Sequence, residues 1–191
     1  MKLFLTLLLT AFLFYGIQKT SFAQSNSNTI DSIKAINLLN TFIGEWEGEA
    51  TAYFPRDKDR KNRKEKVVVT GKTILGGSYL ECNTNWTQSN GENRELNIYL
   101  NYDKKKSLID ILFLYDDWPG KVNYPLGYDE KSRTLTGVDT FTTSKGVKGK
   151  ERVEWWISED KSIIVGREYN HYGTDPEDYL PMNFEFEWRR K

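Results

Sequence analysis

Two hydrophobic periods divide the chain. Ile33, Ile36, Leu39 and Phe42 recur every three residues, which predicts one amphipathic helix of about three turns. After this segment apolar and polar residues alternate, as they do in strands with one buried face. The alternation is clearest in Met182–Arg190, where one parity is apolar and the other is polar or charged. The pattern therefore predicts a short helix followed by strands.

Turn signals divide the remainder of the chain into ten predicted strands. Their predicted ranges are 46–54, 66–75, 79–88, 94–102, 107–115, 121–128, 133–142, 150–158, 161–170 and 182–190. Ten consecutive hairpin-linked strands would leave two exposed edges in an open sheet, and closure into a barrel removes both. The sequence therefore predicts an all-β, ten-stranded antiparallel up-and-down barrel with one short N-terminal helix, over residues 29–191.

The predicted connections distinguish the two ends of the barrel. The second, fourth, sixth and eighth are short, whereas the first and ninth, 55–65 and 171–181, are the longest. Odd and even connections lie at opposite ends of an up-and-down barrel, and ligands bind in the mouths of such barrels. The end with the long connections is the predicted mouth, and the other end is the predicted floor.

The two long mouth connections carry opposite charge. Residues 56–66 are rich in Lys and Arg, whereas 171–181 contain Asp175, Glu177 and Asp178. Because the first and last strands are neighbours in a closed barrel, we expect these connections to attract each other across the mouth.

The first 23 residues have the features of an export signal. Lys2 precedes the apolar run 3–14, and Ser21 and Ala23 form a small-x-small pattern. A membrane anchor is the alternative, but a spanning helix needs about 20 apolar residues. We therefore expect a signal peptide over 1–23, a polar tail over 24–28 and an exported product, periplasmic or extracellular, without a membrane span after cleavage.

The charge and composition of the chain limit the kinds of molecule that it is expected to bind. The chain has 27 Lys and Arg against 27 Asp and Glu, which argues against the strong positive field of a nucleic-acid-binding protein. One Cys and one His fall short of the three or four ligands of a zinc site. We expect no metal, no cofactor and no nucleic acid. Aromatic residues make up 14%, which suits a barrel interior and is unlike a disordered chain. The oligomeric state is left open.

The string from Phe42 to Gly48 resembles the Gly-x-Trp opening of lipocalins and other calycins. With Leu-Gly-Gly at 75–77 and Tyr-Asp turns at 102–103 and 128–129, the chain is similar to a bacterial lipocalin-like family labelled as a domain of unknown function. It more distantly resembles nitrobindin-type and fatty-acid-binding barrels. The resemblance covers residues 38–190. It implies a barrel and an apolar ligand, and it implies no reaction.

The resemblance also implies structural roles and argues against heme. Calycins tend to place a basic residue of the last strand over the opening Trp. Arg189 is therefore expected to stack on Trp46 at the floor, with Arg190 as the alternative. Nitrobindin-type barrels take an axial His from near the chain end, and residues 183–190 contain none. The structural residues expected from this motif are Gly44, Trp46, Gly48 and Arg189.

Candidate ligand-binding residues gather near the predicted mouth. Arg167 shares a strand parity with Tyr169, and if that parity faces inward it would bind a ligand carboxylate. Otherwise Arg167 points outward, or it pairs with Asp110 or Asp139. The candidate ligand-binding residues are Phe54, Trp86, Tyr115, Trp118, Arg167 and Tyr169.

Three functions remain open on the sequence. The favoured one is non-covalent binding of a small apolar or aromatic molecule, with or without a carboxylate. The second is an enzyme that uses interior Asp110, Asp139, Arg167 or a Tyr, although no catalytic motif is present and no catalytic residue is assigned. The third is a filled barrel that binds a protein or a glycan. The contents of the barrel interior distinguish the three.

Overall fold

A computed structural model of the protein describes residues 29–116, 121–142 and 146–191. Helix α1 spans Ser32–Leu39 and continues into a 3-10 turn at Asn40–Phe42. The predicted signal peptide and polar tail lie outside the described residues. No helix in the described ranges is long and apolar enough to cross a membrane. The ten strands are β1 Gly44–Ala52, β2 Arg63–Ile74, β3 Tyr79–Gln88, β4 Asn93–Asp103, β5 Leu108–Tyr115, β6 Lys121–Asp129, β7 Thr134–Thr142, β8 Lys148–Ile157, β9 Ile163–Tyr172 and β10 Met182–Arg190.

The strands form a closed antiparallel barrel. Each strand pairs with its neighbours in the chain, and β1 pairs with β10 to complete the ring. The predicted ten-stranded up-and-down barrel is therefore confirmed. The largest boundary difference is at β2, predicted from 66 and observed from Arg63. The charged residues at the start of β2 are typical of a loop. In the structure they belong to the strand, and Glu65 points inward and is only 3% exposed.

Helix α1 covers the floor. Asp31 caps its N-terminus by accepting a hydrogen bond from the Lys34 backbone N–H at 2.9 Å. The buried helical residues are Ala35 and Leu38, whereas Ile33 and Ile36 are exposed. Within the helix the buried face is therefore displaced by two residues from the expected one, to Ala35 and Leu38 in place of Ile33 and Ile36.

Aromatic side chains fill the floor half of the barrel. Phe186 and Trp188 stack with ring centroids 4.5 Å apart. Trp155 meets both edge-on, at 5.5 Å and 5.8 Å, and also contacts Phe42 at 5.7 Å. A free volume inside the barrel must therefore lie in the mouth half.

Trp46 and Arg190 close the floor. Trp46 is fully buried and donates its indole N–H to the Phe42 carbonyl at 3.1 Å. The Arg190 guanidinium carbon lies 4.2 Å from the centre of the Trp46 ring, and Arg190 donates to the Ile43 and Thr41 carbonyls at 2.8 Å and 2.6 Å. One cation thus stacks on the indole and terminates the 3-10 turn.

The prediction that Arg189 makes this stack is wrong. Trp46 is directly opposite Arg190 in the β1–β10 register, so both side chains lie on the same face of the sheet. Arg189 is on the other face, 61% exposed, and pairs with Glu187 at 2.6 Å. Strand parity alone excludes Arg189 from the floor.

The two glycines of the opening motif meet backbone constraints. Gly44 has φ +116°, a left-handed conformation that side chains rarely adopt. A Cβ on Gly48 would lie 1.7 Å from the Glu187 carbonyl oxygen. Gly44 thus allows the backbone conformation at the start of β1, and Gly48 allows β1 to approach β10 closely.

Candidate functional site

Ionisable side chains collect inside the mouth half of the barrel. They lie at every second position of their strands, the positions whose side chains point into the barrel. On β4, Arg94 shares the inward parity of Leu96 and Ile98, and on β9 Glu168 shares that of Ile164. The inward ionisable residues of this half include Arg63, Glu65, Arg94, Tyr115, Tyr124, Asp139, Glu151, Glu168 and Tyr172.

One of these carboxylates is fully paired. The Glu65 side chain is buried and accepts from Arg63 Nε at 2.6 Å and from Arg94 Nη2 at 2.9 Å. A buried carboxylate needs such partners to offset its desolvation. The pairing also places the Arg94 guanidinium 5.4 Å from the centre of the Trp86 ring. Arg94 is thus a satisfied cation with a defined position.

A cavity of about 150 Å³ lies beside this network. Strands β3, β4 and β5 line one side and β9 and β10 the other, so the cavity is inside the barrel. Four of its eight lining residues are aromatic or aliphatic, and its volume is that of a molecule of roughly benzene size. Its lining residues are Trp86, Arg94, Glu95, Leu96, Tyr115, Glu168, Asn183 and Phe184.

The aromatic wall of the cavity is held in place. The Trp86 indole N–H donates to Thr84 Oγ1 at 2.6 Å, and that hydroxyl donates to the Leu96 carbonyl at 2.7 Å. The Trp86 ring contacts Phe184 with centroids 5.2 Å apart. A flat ligand would therefore meet a preformed aromatic surface.

Three inward carboxyl groups lie on adjacent strands. Asp139 on β7 is directly opposite Glu151 on β8. Glu168 on β9 is opposite Val153 on β8. Directly opposite Cβ atoms are about 5 Å apart. Burial and the neighbouring carboxylate raise the pKa of Glu168 to about 8, with Arg94 opposing the rise. Burial and Asp139 raise the pKa of Glu151 to about 7.

Tyr124 faces these carboxyl groups from β6. Its side chain is 3% exposed, and within the described ranges its hydroxyl makes no hydrogen bond of normal geometry. Burial first, and then the charges of Glu151 and Glu168, raise its pKa well above the usual value for tyrosine. A buried hydroxyl without a partner costs free energy, so the site favours a ligand that satisfies it.

The charged connections meet at the mouth as expected. Arg56 binds Asp175 at 2.5 Å, donates to the Asn170 carbonyl at 2.6 Å and lies over the Tyr172 and Tyr179 rings at 4.4 Å and 5.4 Å. We call the Arg56–Asp175 contact the strap. The other two acids of that connection, Glu177 and Asp178, are exposed.

The structure separates the predicted ligand-binding residues into three groups. Trp86 and Tyr115 line the cavity. Phe54 lies beyond the end of β1, with the Arg60 guanidinium 3.7 Å from its ring centre. Trp118 lies outside the described residues. The cavity therefore includes two of the six candidates.

Arg167 and Tyr169 form the third group, because they point out of the barrel. Arg167 Nε donates to Glu185 Oε1 at 2.8 Å, and the Tyr169 hydroxyl donates to Glu154 Oε2 at 3.4 Å. The inward parity of β9 is the even one, which includes Glu168. The interpretation of Arg167 as an interior cation is wrong for this reason.

The acids considered for catalysis do not converge. Asp110 lies on the outer face and pairs with Lys106 at 3.2 Å, whereas Asp139 faces inward beside Glu151. His171 has the outward parity of β9, with Nδ1 2.9 Å from the Tyr179 carbonyl oxygen. In the described part of the chain, no group of three His, Cys, Asp or Glu residues could hold a metal ion.

The sequence interpretation missed Arg94, Glu151, Glu168 and Tyr124. Each is a polar residue at an inward position of a strand whose neighbouring inward residues are apolar. That signal is present in the sequence, because Glu151 has the parity of Val153 and Trp155. It becomes readable only when the inward face of each strand is known.

A larger, shallow depression of about 740 Å³ crosses the outer wall between β2, β1, β10 and β9. Seven of its thirteen lining residues are charged, and two of the three basic ones are already paired, Arg167 with Glu185 and Arg189 with Glu187. The interior cavity is therefore the better candidate site.

No family model and no curated protein matches the chain. Among solved structures, lobster apocrustacyanin A1 is 12% identical, with a TM-score of 0.33 over 86% of this chain and 73% of that one. Apocrustacyanin C2 is 12% identical with a TM-score of 0.32 and the same coverage. These scores describe a loose overlap, and the assignment of the fold rests on the barrel itself.

Proposed function

We propose that the protein is an exported binding protein for a small, mainly apolar or aromatic molecule, held in the mouth half of the barrel. The observation that carries the proposal is the interior cavity of about 150 Å³, which Trp86 and Phe184 line together. Its volume suits a ligand with about one aromatic ring. The export component rests on residues 1–23, and membership of the bacterial lipocalin-like family remains a prediction.

A carboxylate on the ligand is not part of the proposal. Arg167, the residue that suggested it, is on the outer wall. Arg94 does line the cavity, but Glu65 already binds its guanidinium. The excess interior charge is negative, from Asp139, Glu151 and Glu168.

The two alternative functions have less support. A filled barrel acting only through its surface agrees with the packed floor half but leaves the mouth-half cavity without a role. An enzyme based on Asp110 and Arg167 is not favoured, because both side chains lie outside the barrel.

A side chain that fills the cavity should weaken ligand binding. Leu96 lines the cavity and is 8% exposed, so we expect Leu96→Trp to weaken binding of 2-phenylethanol at least tenfold. Overpacking would also lower stability by about 1–3 kcal/mol. Isothermal titration calorimetry measures the affinity, and circular dichroism confirms folding.

The matched control is Leu114→Trp, because Leu114 is on the outer face of β5 and 38% exposed. This variant should bind like the unmodified protein. Equal binding by both variants would contradict a ligand in this cavity.

The strap should control how fast a bound ligand leaves. We expect Asp175→Asn to speed release of 2-phenylethanol a fewfold, because it removes the partner of Arg56. The ion pair is partly exposed and worth about 0–1 kcal/mol, so thermal stability should change little. Salt should speed release in the unmodified protein, since screening strengthens as the Debye length falls.

Release rates from exchange-broadened NMR spectra check this prediction. Asp178→Asn is the control, because this exposed acid is outside the strap and should leave the rate unchanged. If Asp175→Asn and the unmodified protein share one rate and one salt dependence, the strap has no gating role.

A further inference from the structure

We propose that the ligand is a small arylalkylamine, with its ring in the cavity and its ammonium group among Asp139, Glu151, Glu168 and Tyr124. This inference rests on the proposed function and specifies its ligand class. Glu168 connects the ring cavity to the carboxyl groups, because it lines the cavity and is also a neighbour of Glu151.

The placement of the carboxyl groups is unfavourable without a cation. Asp139 and Glu151 are directly opposite on one face of the sheet, where like charges destabilise strand pairing. Glu151 and Glu168 are diagonal neighbours on β8 and β9, because Glu168 is opposite Val153. An arrangement that breaks a local rule without compensation often marks a functional site.

The buried carboxyl groups of this barrel differ in whether they have a cationic partner. Glu65 is buried and has two arginine partners. Among the described residues, Asp139, Glu151 and Glu168 have no salt bridge, and Arg94 is the cation that acts on Glu168 from a distance. The groups facing this space are Arg94 from β4, Tyr115 from β5, Tyr124 from β6, Asp139 from β7, Glu151 from β8 and Glu168 from β9.

Unsatisfied polar atoms independently point to a ligand that donates hydrogen bonds. The buried Tyr124 hydroxyl lies beside Glu151 without a hydrogen bond of normal geometry, and the buried side-chain oxygens of Asn170 and Asn183 also lack donors in the described part. A tyrosine hydroxyl can accept from a ligand while it donates to a carboxylate. An alkylammonium group carries three N–H donors and no acceptor, which complements this surplus of acceptors.

The geometry favours an organic cation over a metal ion. No three acidic, His or Cys side chains of the described residues approach closely enough to coordinate a metal. The adjacent cavity offers the faces of Trp86 and Phe184 to a ring, and aromatic faces also attract cations. A ring joined to an amine by a short chain occupies both parts together.

Protonation should regulate this site. Burial raises the pKa of Glu151 and of Glu168, and Asp139 adds to the rise for Glu151 and Glu151 to the rise for Glu168. Both groups therefore lose protons near neutral to mildly alkaline pH. An ammonium ion binds the ionised carboxylates better than the neutral acids. Affinity for the amine should therefore rise between pH 6 and pH 8.5, whereas affinity for an uncharged analogue should stay flat.

The test compares three ligands of one shape on the full mature protein. We expect 2-phenylethylamine to bind at least tenfold more tightly than 2-phenylethanol at pH 8, and 3-phenylpropanoate to bind more weakly than the alcohol. Glu168→Gln and Glu151→Gln should each reduce the ratio of amine affinity to alcohol affinity at least fivefold. Glu154→Gln, on the outward face of β8, is the matched control and should keep the preference.

The outcomes separate the two proposals. Equal or weaker binding of the amine relative to the alcohol overturns the amine site and leaves the binding function standing. An amine preference that survives in both Glu151→Gln and Glu168→Gln also overturns it. If none of the three ligands binds, the proposed function itself fails for ring-sized ligands. Two separate carboxyl variants keep the test valid if one of them does not fold.

Discussion

Replacement of Trp46 by alanine is expected to lower the free energy of unfolding by about 3–5 kcal/mol. The indole is fully buried, its N–H is bonded to the Phe42 carbonyl, and the Arg190 guanidinium covers its ring. The variant loses apolar burial, leaves the Phe42 carbonyl without its indole donor and removes the ring beneath the Arg190 guanidinium. Urea unfolding followed by far-ultraviolet circular dichroism measures the change.

Arg190 should contribute less on its own but should be coupled to Trp46. We expect Arg190→Ala to cost about 1–2 kcal/mol, because it removes two hydrogen bonds to carbonyls and one cation–π contact. Arg189→Ala is the matched control and should cost less than about 0.5 kcal/mol, since Arg189 is exposed.

A double-mutant cycle should give a coupling energy of about 0.5–1 kcal/mol between Trp46 and Arg190, and none between Trp46 and Arg189. A coupling of zero for the first pair would contradict the stack. A coupling for Arg189 that exceeds the one for Arg190 would contradict the β1–β10 register.

The second large effect is a fall in stability as the pH rises. The pKa of Glu168 is about 8 in the folded protein, against an ordinary value of 4.5. Between these values the folded state binds more protons than the unfolded state, so the free energy of unfolding decreases with increasing pH. Glu151 acts in the same direction, up to its pKa of about 7. Stability should be highest near pH 4–5 and should level off above pH 8.

Glu168→Gln should remove most of this slope. Glutamine resembles the protonated acid, so at pH 9 the variant should be more stable than the unmodified protein by on the order of 3 kcal/mol. At pH 4 the two proteins should differ little. Thermal unfolding at a series of pH values measures both profiles, with Glu154→Gln on the outward face as control. Parallel profiles for the unmodified protein and Glu168→Gln would show that Glu168 ionises normally.

These two predictions concern opposite ends of one barrel. The floor is closed by aromatic packing and by Arg190, which stabilise the fold. The mouth half contains carboxyl groups whose ionisation is expected to lower stability as the pH rises from about 5 to 8. The difference between the two ends supports a division in which one end maintains the barrel and the other binds a ligand.

The sequence alone predicted the architecture well. Alternation of apolar and polar residues, punctuated by turn signals, indicated ten strands, and β3 and β10 have the predicted bounds. The closure of the barrel followed from the need to pair edge strands. These features are local, or follow from the number of strands, so they can be deduced without knowing which residues touch.

The inward face of β9 needed the tertiary structure. Both parities begin with apolar residues, Ile163 and Val165 on one and Ile164 on the other, so alternation cannot distinguish them. The ring of Phe186 occupies the space where a Cβ of Gly166 would be, at 2.1 Å, which makes the even parity the inner one. That contact turns Glu168 inward and Arg167 outward.

The choice between Arg189 and Arg190 was decided in the same way. The sequence placed a basic residue at the end of the last strand, and only the pairing of Trp46 with Arg190 selected which one stacks. The acidic site is also a product of closure, since Asp139, Glu151 and Glu168 come from three strands and Arg94 from a fourth. The pattern of apolar, polar and turn residues predicted the number of strands and the two ends of the barrel, and the resemblance to calycins implied the importance of Trp46. Register and packing decided which side chains share the interior, because a shift of one residue reverses every side chain of a strand.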